Sequence, residues 1–195
     1  MNLNLYIKEG AIPRFFQILQ KGFTMNVQVG CSIKDLFCGQ FGVTSEYFEG
    51  RVQTIFLDGK PVDDANSAIV KSGSHIALSG AMPGLAGAIL RKGGFYASMR
   101  SEISNREKVK AERLKEGVVF FKLFNLLLKD LGPHFLGRGL WIKGYDLERF
   151  FQKQSDDFWT GFCSAKLDGK DLFLEELISM KWPKRQIFLQ VHFCE

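Results

Sequence analysis

Apolar and polar residues alternate from Asn2 to Ile7 and again from Phe23 to Val29, where Phe23, Met25, Val27 and Val29 share one side. A two-residue period puts alternate side chains on one face, so both stretches are predicted strands. Between them Ile12, Phe15, Phe16, Ile18 and Leu19 recur at near-helical spacing, and Lys21-Gly22 offers a stop. Pro13 suits a first turn, so a helix is predicted over 11–20. Ser32 fits the N-cap of a short helix over 33–41, with Asp35 complementing its dipole. Strands are predicted at 52–57 and 75–79, beside the turn signals Asp58-Gly59 and Ser72-Gly73. The glycine-rich residues 80–94 read as a structured loop or broken helix, with a helical turn or two over 85–92.

The second half opens on a charged stretch. Arg106, Lys108, Lys110, Arg113 and Lys115 interleave with Glu102, Glu107, Glu112 and Glu116, which predicts a solvated, self-paired helix over 105–117. Residues 118–131 are apolar on nearly all sides and predict a buried helix, ended by Gly132-Pro133. A strand at 139–143, a helix at 145–154 and a strand at 158–166 follow. Asp168-Gly169 then turns into a predicted helix over 170–180, before a last strand at 186–193. Leu57-Asp-Gly-Lys60 and Leu167-Asp-Gly-Lys170 echo one another; the echo reads as shared turn chemistry rather than duplication.

The phrases Ile55-Phe-Leu-Asp-Gly-Lys-Pro-Val62 and Lys71-Ser-Gly-Ser-His-Ile-Ala-Leu78, followed by Gly93-Gly94, resemble those of the β-grasp sulfur carriers of molybdopterin and thiamine synthesis and of ubiquitin-like proteins. The resemblance covers about residues 20–94, and the helical segment before Phe23 departs from it. It implies an α+β chain with an N-terminal β-grasp (ubiquitin-like) domain over 1–99, followed by a helix-led α+β domain over 100–195. In those families a terminal Gly-Gly is the reactive end. Here the chain runs past Gly94 to Glu195, so a carrier role would need cleavage after Gly94.

Composition is globular, with 46% hydrophobic and 24% charged residues in 195. The 19 Phe suffice for two modest cores, each buried ring being worth about 2–3 kcal/mol. The longest apolar run, near 117–131, is broken by Lys122, Lys129 and Asp130 and falls short of the roughly 20 residues of a membrane span. The first residues do not pattern as a signal peptide, so the expected location is the cytoplasm, away from membranes. The 4 Cys form no CxxC pair. They are expected to be free thiols, without a metal site.

The net charge of +5 matters through its distribution. No acid lies between Asp64 and Glu102, a window that holds Lys71, Arg91, Lys92 and Arg100. Gly84 and Gly87 with Arg91, Lys92 and Arg100 therefore form the candidate anion site, for a phosphate-bearing small molecule. Neither the P-loop nor the dinucleotide glycine pattern is present. Gly93-Gly94 is the candidate carrier tail or, as the favoured reading, a glycine turn before a packed Phe95-Tyr96-Ala97. The bases of 105–117 alternate with acids, which argues against nucleic acid. His75, His134 and His192 have neither ligand nor triad spacing, and no catalytic residue or cofactor is assigned. The reading is a non-catalytic interaction or ligand-binding protein with a protein partner. The alternatives are a sulfur-carrier precursor, or an enzyme using the cations of Gly80–Arg100.

Overall fold

A computed structural model describes residues 1–100, 103–105 and 113–194. The strands among them are β1 Asn2–Lys8, β2 Phe23–Val29, β3 Thr54–Leu57, β4 Lys60–Pro61, β5 His75–Ser79, β6 Lys115–Phe124, β7 Leu140–Lys143, β8 Phe162–Leu167, β9 Lys170–Leu172 and β10 Gln186–Cys194. The α-helices are α1 Phe16–Lys21, α2 Ile33–Asp35, α3 Ser45–Arg51, α4 Gly84–Leu90, α5 Leu126–Arg138, α6 Gly144–Gln152, α7 Asp156–Trp159 and α8 Leu174–Ser179. The chain is thus mixed α and β. It divides into two compact units, Met1–Thr24 with Leu128–Glu195, and Met25–Leu127. The boundary expected near residue 100 falls inside the second unit.

In the unit of Met25–Leu127 the strand order is β4-β3-β5-β6-β2. β3 is antiparallel to β4 and β5, and β5 is parallel to β6. Ser32 caps α2, its Oγ accepting from the Asp35 N–H at 3.0 Å; the helix then widens into a π-turn over Leu36–Gln40. This places Phe37 at the centre of an aromatic core, 5.3 Å from Phe41, 5.7 Å from Phe48 and 6.1 Å from Phe121.

In the other unit the order is β7-β10-β1-β8-β9. β1 is parallel to β10 and antiparallel to β8, which forms a hairpin with β9. The first strand of the chain therefore pairs with strands from its last third. Phe15, Phe150 and Phe158 make this unit's aromatic cluster, at centroid distances of 4.9–5.7 Å.

Both units share one layout: an edge hairpin, an antiparallel neighbour, its parallel partner and a fifth strand. The two Asp-Gly turns sit at the same place in it. Asp58 and Asp168 adopt positive φ of 52° and 49°, with Gly59 and Gly169 at 79° and 85°, the left-handed pair of a tight hairpin turn. Asp58 N–H donates to the His75 carbonyl at 2.8 Å, and its Oδ1 accepts from the His75 N–H at 2.7 Å. Asp168 N–H donates to the Asn2 carbonyl at 2.8 Å, and its Oδ1 accepts from the Asn2 N–H at 2.7 Å. The echo in the sequence is therefore more than turn chemistry: each aspartate clasps the first residue of the neighbouring strand.

Several expectations are corrected. Residues 118–124 are strand β6, not helix. Val119, Phe121 and Leu123 face the core while Phe120, Lys122 and Phe124 are half-buried, so a run covered on both faces hides its period of two. Asn125, at φ 55°, ends the strand. α5 runs through Pro133 to Arg138; burial of Leu131, Phe135 and Leu136 outweighs the roughly 3 kcal/mol an interior proline costs. Over 170–180 the chain first pairs as β9, which the hairpin turn at Asp168-Gly169 demands, and only then forms α8. Of the helix predicted over 105–117, residues 106–112 lie outside the described residues, and Lys115–Gly117 begin β6.

Cys163 and Cys194 are joined in a disulfide, not free. Opposite β1, Tyr6 pairs with Ser164 and Ile7 with Phe162, leaving Cys163 as the extra residue of a β-bulge. A bulge changes which face a side chain takes, and here it brings Cys163 to the outward side shared by Cys194. Replacing Cys163 with serine should cost about 2–3 kcal/mol, a link across 31 residues being entropically substantial. Denaturation followed by tryptophan fluorescence reads this unit, since Trp141, Trp159 and Trp182 all belong to it. Reductant should bring the wild type down to the variant's stability; a wild type indifferent to reductant contradicts the assignment.

Candidate functional site

The glycine-rich segment of the Met25–Leu127 unit forms α4, a turn over 91–94, and a 3-10 helix Phe95–Arg100. Gly87 is required inside α4: a Cβ there would lie 2.0 Å from the Met82 carbonyl oxygen, so the helix folds back against residue 82 only without a side chain.

The predicted cations part company. Arg100 is buried, and all five N–H groups of its guanidinium are used. Nε donates to the Ile89 carbonyl at 2.7 Å, and one terminal nitrogen to Asp63 Oδ2 at 3.1 Å and Ser104 Oγ at 2.7 Å. The other donates to Asp63 Oδ1 at 2.6 Å and to the Arg91 carbonyl at 3.2 Å. Arg100 therefore ties both ends of the turn to Asp63 and holds the segment in place.

Lys92 is turned inward as well. Its Nζ meets Glu49 Oε2 at 3.0 Å and lies 5.0 Å from the centre of the Phe48 ring. Lys34 Nζ meets the other oxygen of Glu49 at 3.0 Å. The hydrogen bonds from Lys34 and Lys92 hold the Glu49 carboxyl below its ordinary pKa. Two of the window's four cations, Lys92 and Arg100, are thus paired by acids from outside it, Glu49 and Asp63.

Gly93-Gly94 form the turn. Gly93, at φ 59°, donates its N–H to Asp63 Oδ1 at 3.1 Å, and Gly94 donates to the Arg91 carbonyl at 3.2 Å. Phe95, expected to pack, is 90% exposed, with Leu85 at 68% and Met99 at 71%. The turn reverses the chain before the 3-10 helix, and the Tyr96 ring meets Phe95 edge-on at 5.1 Å.

The other predicted residues, Gly84, Gly87 and Arg91, line a cavity of about 350 Å³. Sequence reading misses its other basic wall. Arg51, at the end of α3, and Thr54, the first residue of β3, also line it. They lie 29 and 26 positions before Gly80, where the glycine-rich stretch begins. The Thr44 N-cap, whose Oγ1 accepts from the Tyr47 N–H at 3.2 Å, is the signal that would have revealed α3 and with it Arg51.

No group of three His, Cys, Asp or Glu that could hold a metal occurs among the described residues. His75 lies against the Phe120 ring, and His192 stacks on Tyr6 and meets Asn4 Oδ1 at 3.2 Å. Burial pushes the thiols of Cys31 and Cys38 up from their ordinary pKa, which disfavours the reactive thiolate. No helix of the described residues is long and apolar enough to cross a membrane. No family model, curated protein or solved structure matches the chain.

Proposed function

We propose that the chain is a non-catalytic binding protein that engages a protein partner through Leu85, Phe95 and Met99. The observation that carries this reading is the exposure of these side chains on a segment that Arg100 fastens with five hydrogen bonds. Scattered apolar residues on a surface are ordinary. Large ones gathered on a pinned segment are a recognition surface prepared in advance, so little ordering entropy remains to be lost on binding. Burying a phenylalanine ring stabilises a complex by about 2–3 kcal/mol, and aromatic side chains dominate the energetics of such contacts.

The β-grasp reading belongs to the same proposal. β2, α2 with α3, β3 and β5 follow one another in the order the resemblance gives after its first strand, whereas β1, which that reading places first in the domain, pairs with β10 and β8 in the other unit. The cytoplasmic location expected from the sequence is the part of this reading that the Cys163–Cys194 disulfide argues against, because disulfides persist mainly in oxidising compartments.

The test is affinity capture from the native cells with the wild type and with a Phe95→Ser, Met99→Ser variant. A partner held by the wild type should be lost by the variant while the melting temperature is unchanged. Equal retention of that partner, or a collapse of the variant's melting temperature, contradicts the reading.

A further inference from the structure

We infer that the cavity between α3, β3 and α4 binds a small organic phosphate, with the phosphate held by Arg51 and Arg91 and the organic group against Met82 and Leu126. This site is separate from the apolar surface proposed above and rests on its own observations.

Charge is the first of them. Arg51 and Arg91 both line the cavity, no carboxylate lines it, and neither guanidinium has a salt-bridge partner among the described residues. The contrast with Lys92 and Arg100 is informative, because each of those meets a carboxylate within hydrogen-bonding distance. Two cations sharing one concave surface without a counter-charge repel each other, and an oxyanion between them relieves that repulsion. The planar guanidinium matches a phosphate edge with two parallel hydrogen bonds.

The second observation is the Thr54 hydroxyl. It belongs to a residue lining the cavity, is buried, and has no hydrogen-bond partner. A buried polar group left unsatisfied is destabilising, because it has given up water and gained no partner. A ligand oxygen that accepts from this hydroxyl removes that cost. We therefore assign Thr54 as the third donor.

The third observation is room and lining. A cavity of about 350 Å³ exceeds what an inorganic phosphate fills and lies within the range of small-molecule sites. Its space comes from small residues, among them Gly50, Ala81 and Gly84; Met82 and Leu126 supply its large apolar lining, and the Gln53 amide beside them is engaged with the Gly50 carbonyl at 2.7 Å. A cationic wall facing an apolar one fits a monoester better than a free anion.

Phenyl phosphate is the probe, titrated calorimetrically into the full chain at constant ionic strength beside inorganic phosphate and phenol. Phenyl phosphate should bind at least tenfold more tightly than either. The exposed pair Arg51→Gln with Arg91→Gln should weaken it at least tenfold with the melting temperature kept, and Thr54→Val, which conserves volume, should weaken it severalfold. The inference is overturned if phenyl phosphate fails to bind, binds no better than inorganic phosphate, or keeps its affinity in the arginine pair variant or in Thr54→Val. Vesicles of phosphatidic acid in phosphatidylcholine, bound where phenyl phosphate is not, would make the ligand a lipid headgroup and likewise overturn it.

Discussion

Replacing Arg100 with alanine should destabilise the Met25–Leu127 unit by about 2–3 kcal/mol, a large effect for a residue outside the aromatic core. The change removes five hydrogen bonds at once, takes the Nε donor from the Ile89 carbonyl, and leaves the Arg91 carbonyl only the Gly94 N–H. It also strands Asp63, which keeps only the Gly93 N–H. Asp63 is 39% exposed, so water compensates part of the loss. That is why the expected cost lies below the 3–5 kcal/mol of breaking a fully buried pair. Lysine should recover little, because one ammonium cannot reach Asp63, Ser104 and two carbonyls together. Chemical denaturation followed by far-ultraviolet circular dichroism measures it. A loss under about 0.5 kcal/mol would be a surface value and would remove Arg100 from the role given it.

Phe37→Ala should cost about 3–5 kcal/mol, the range for a buried phenylalanine whose cavity cannot collapse. The ring is fully buried and packs against Phe41, Phe48 and Phe121. Those rings come from the π-turn's end, α3 and β6, which are fixed by their own elements and cannot close together over the void. Against a typical total of about 5–15 kcal/mol, such a loss leaves the unit marginal. Circular dichroism must report this unfolding, since no tryptophan lies in this unit. A midpoint shift equivalent to less than about 1 kcal/mol would mean that the core does not close around Phe37.

The pattern of the chain shows those parts of the fold that face water on one side. β2 buries Phe23, Met25, Val27 and Val29 while Thr24, Asn26 and Gln28 lie on the other side, so its period is visible. β6 buries one face and half-buries the other, and its period disappears among Val, Phe and Leu. The Asp-Gly turns are legible because only a few residues accept positive φ. The pairing of β1 with β10 and β8 is not, because it depends on residues more than 150 positions apart, and no local signal carries that choice. The bulge at Cys163 is hidden for the same reason, and with it the disulfide.

The candidate site divides along the same line. Gly84, Gly87 and Arg91 could be read as cavity residues because they are close in sequence, rich in glycine and free of acids. Lys92 and Arg100 belong to the same window and carry the same charge. Only folding brings Glu49 and Asp63 onto them, and an acid-free stretch of sequence is not an acid-free volume. Arg51 and Thr54 reach the cavity from α3 and β3, which the glycine-rich stretch does not announce.

Amide hydrogen exchange in the wild type and in Arg100→Ala tests most directly whether Gly84–Arg100 is a surface held ready for a partner. The N–H groups of Lys92, Gly93, Gly94 and Ala97 donate to the Gln53 carbonyl, Asp63, and the Arg91 and Gly94 carbonyls. They should exchange slowly in the wild type and fast in the variant. Fast exchange at all four in the wild type would mean that the segment is not held in advance, and would contradict the account.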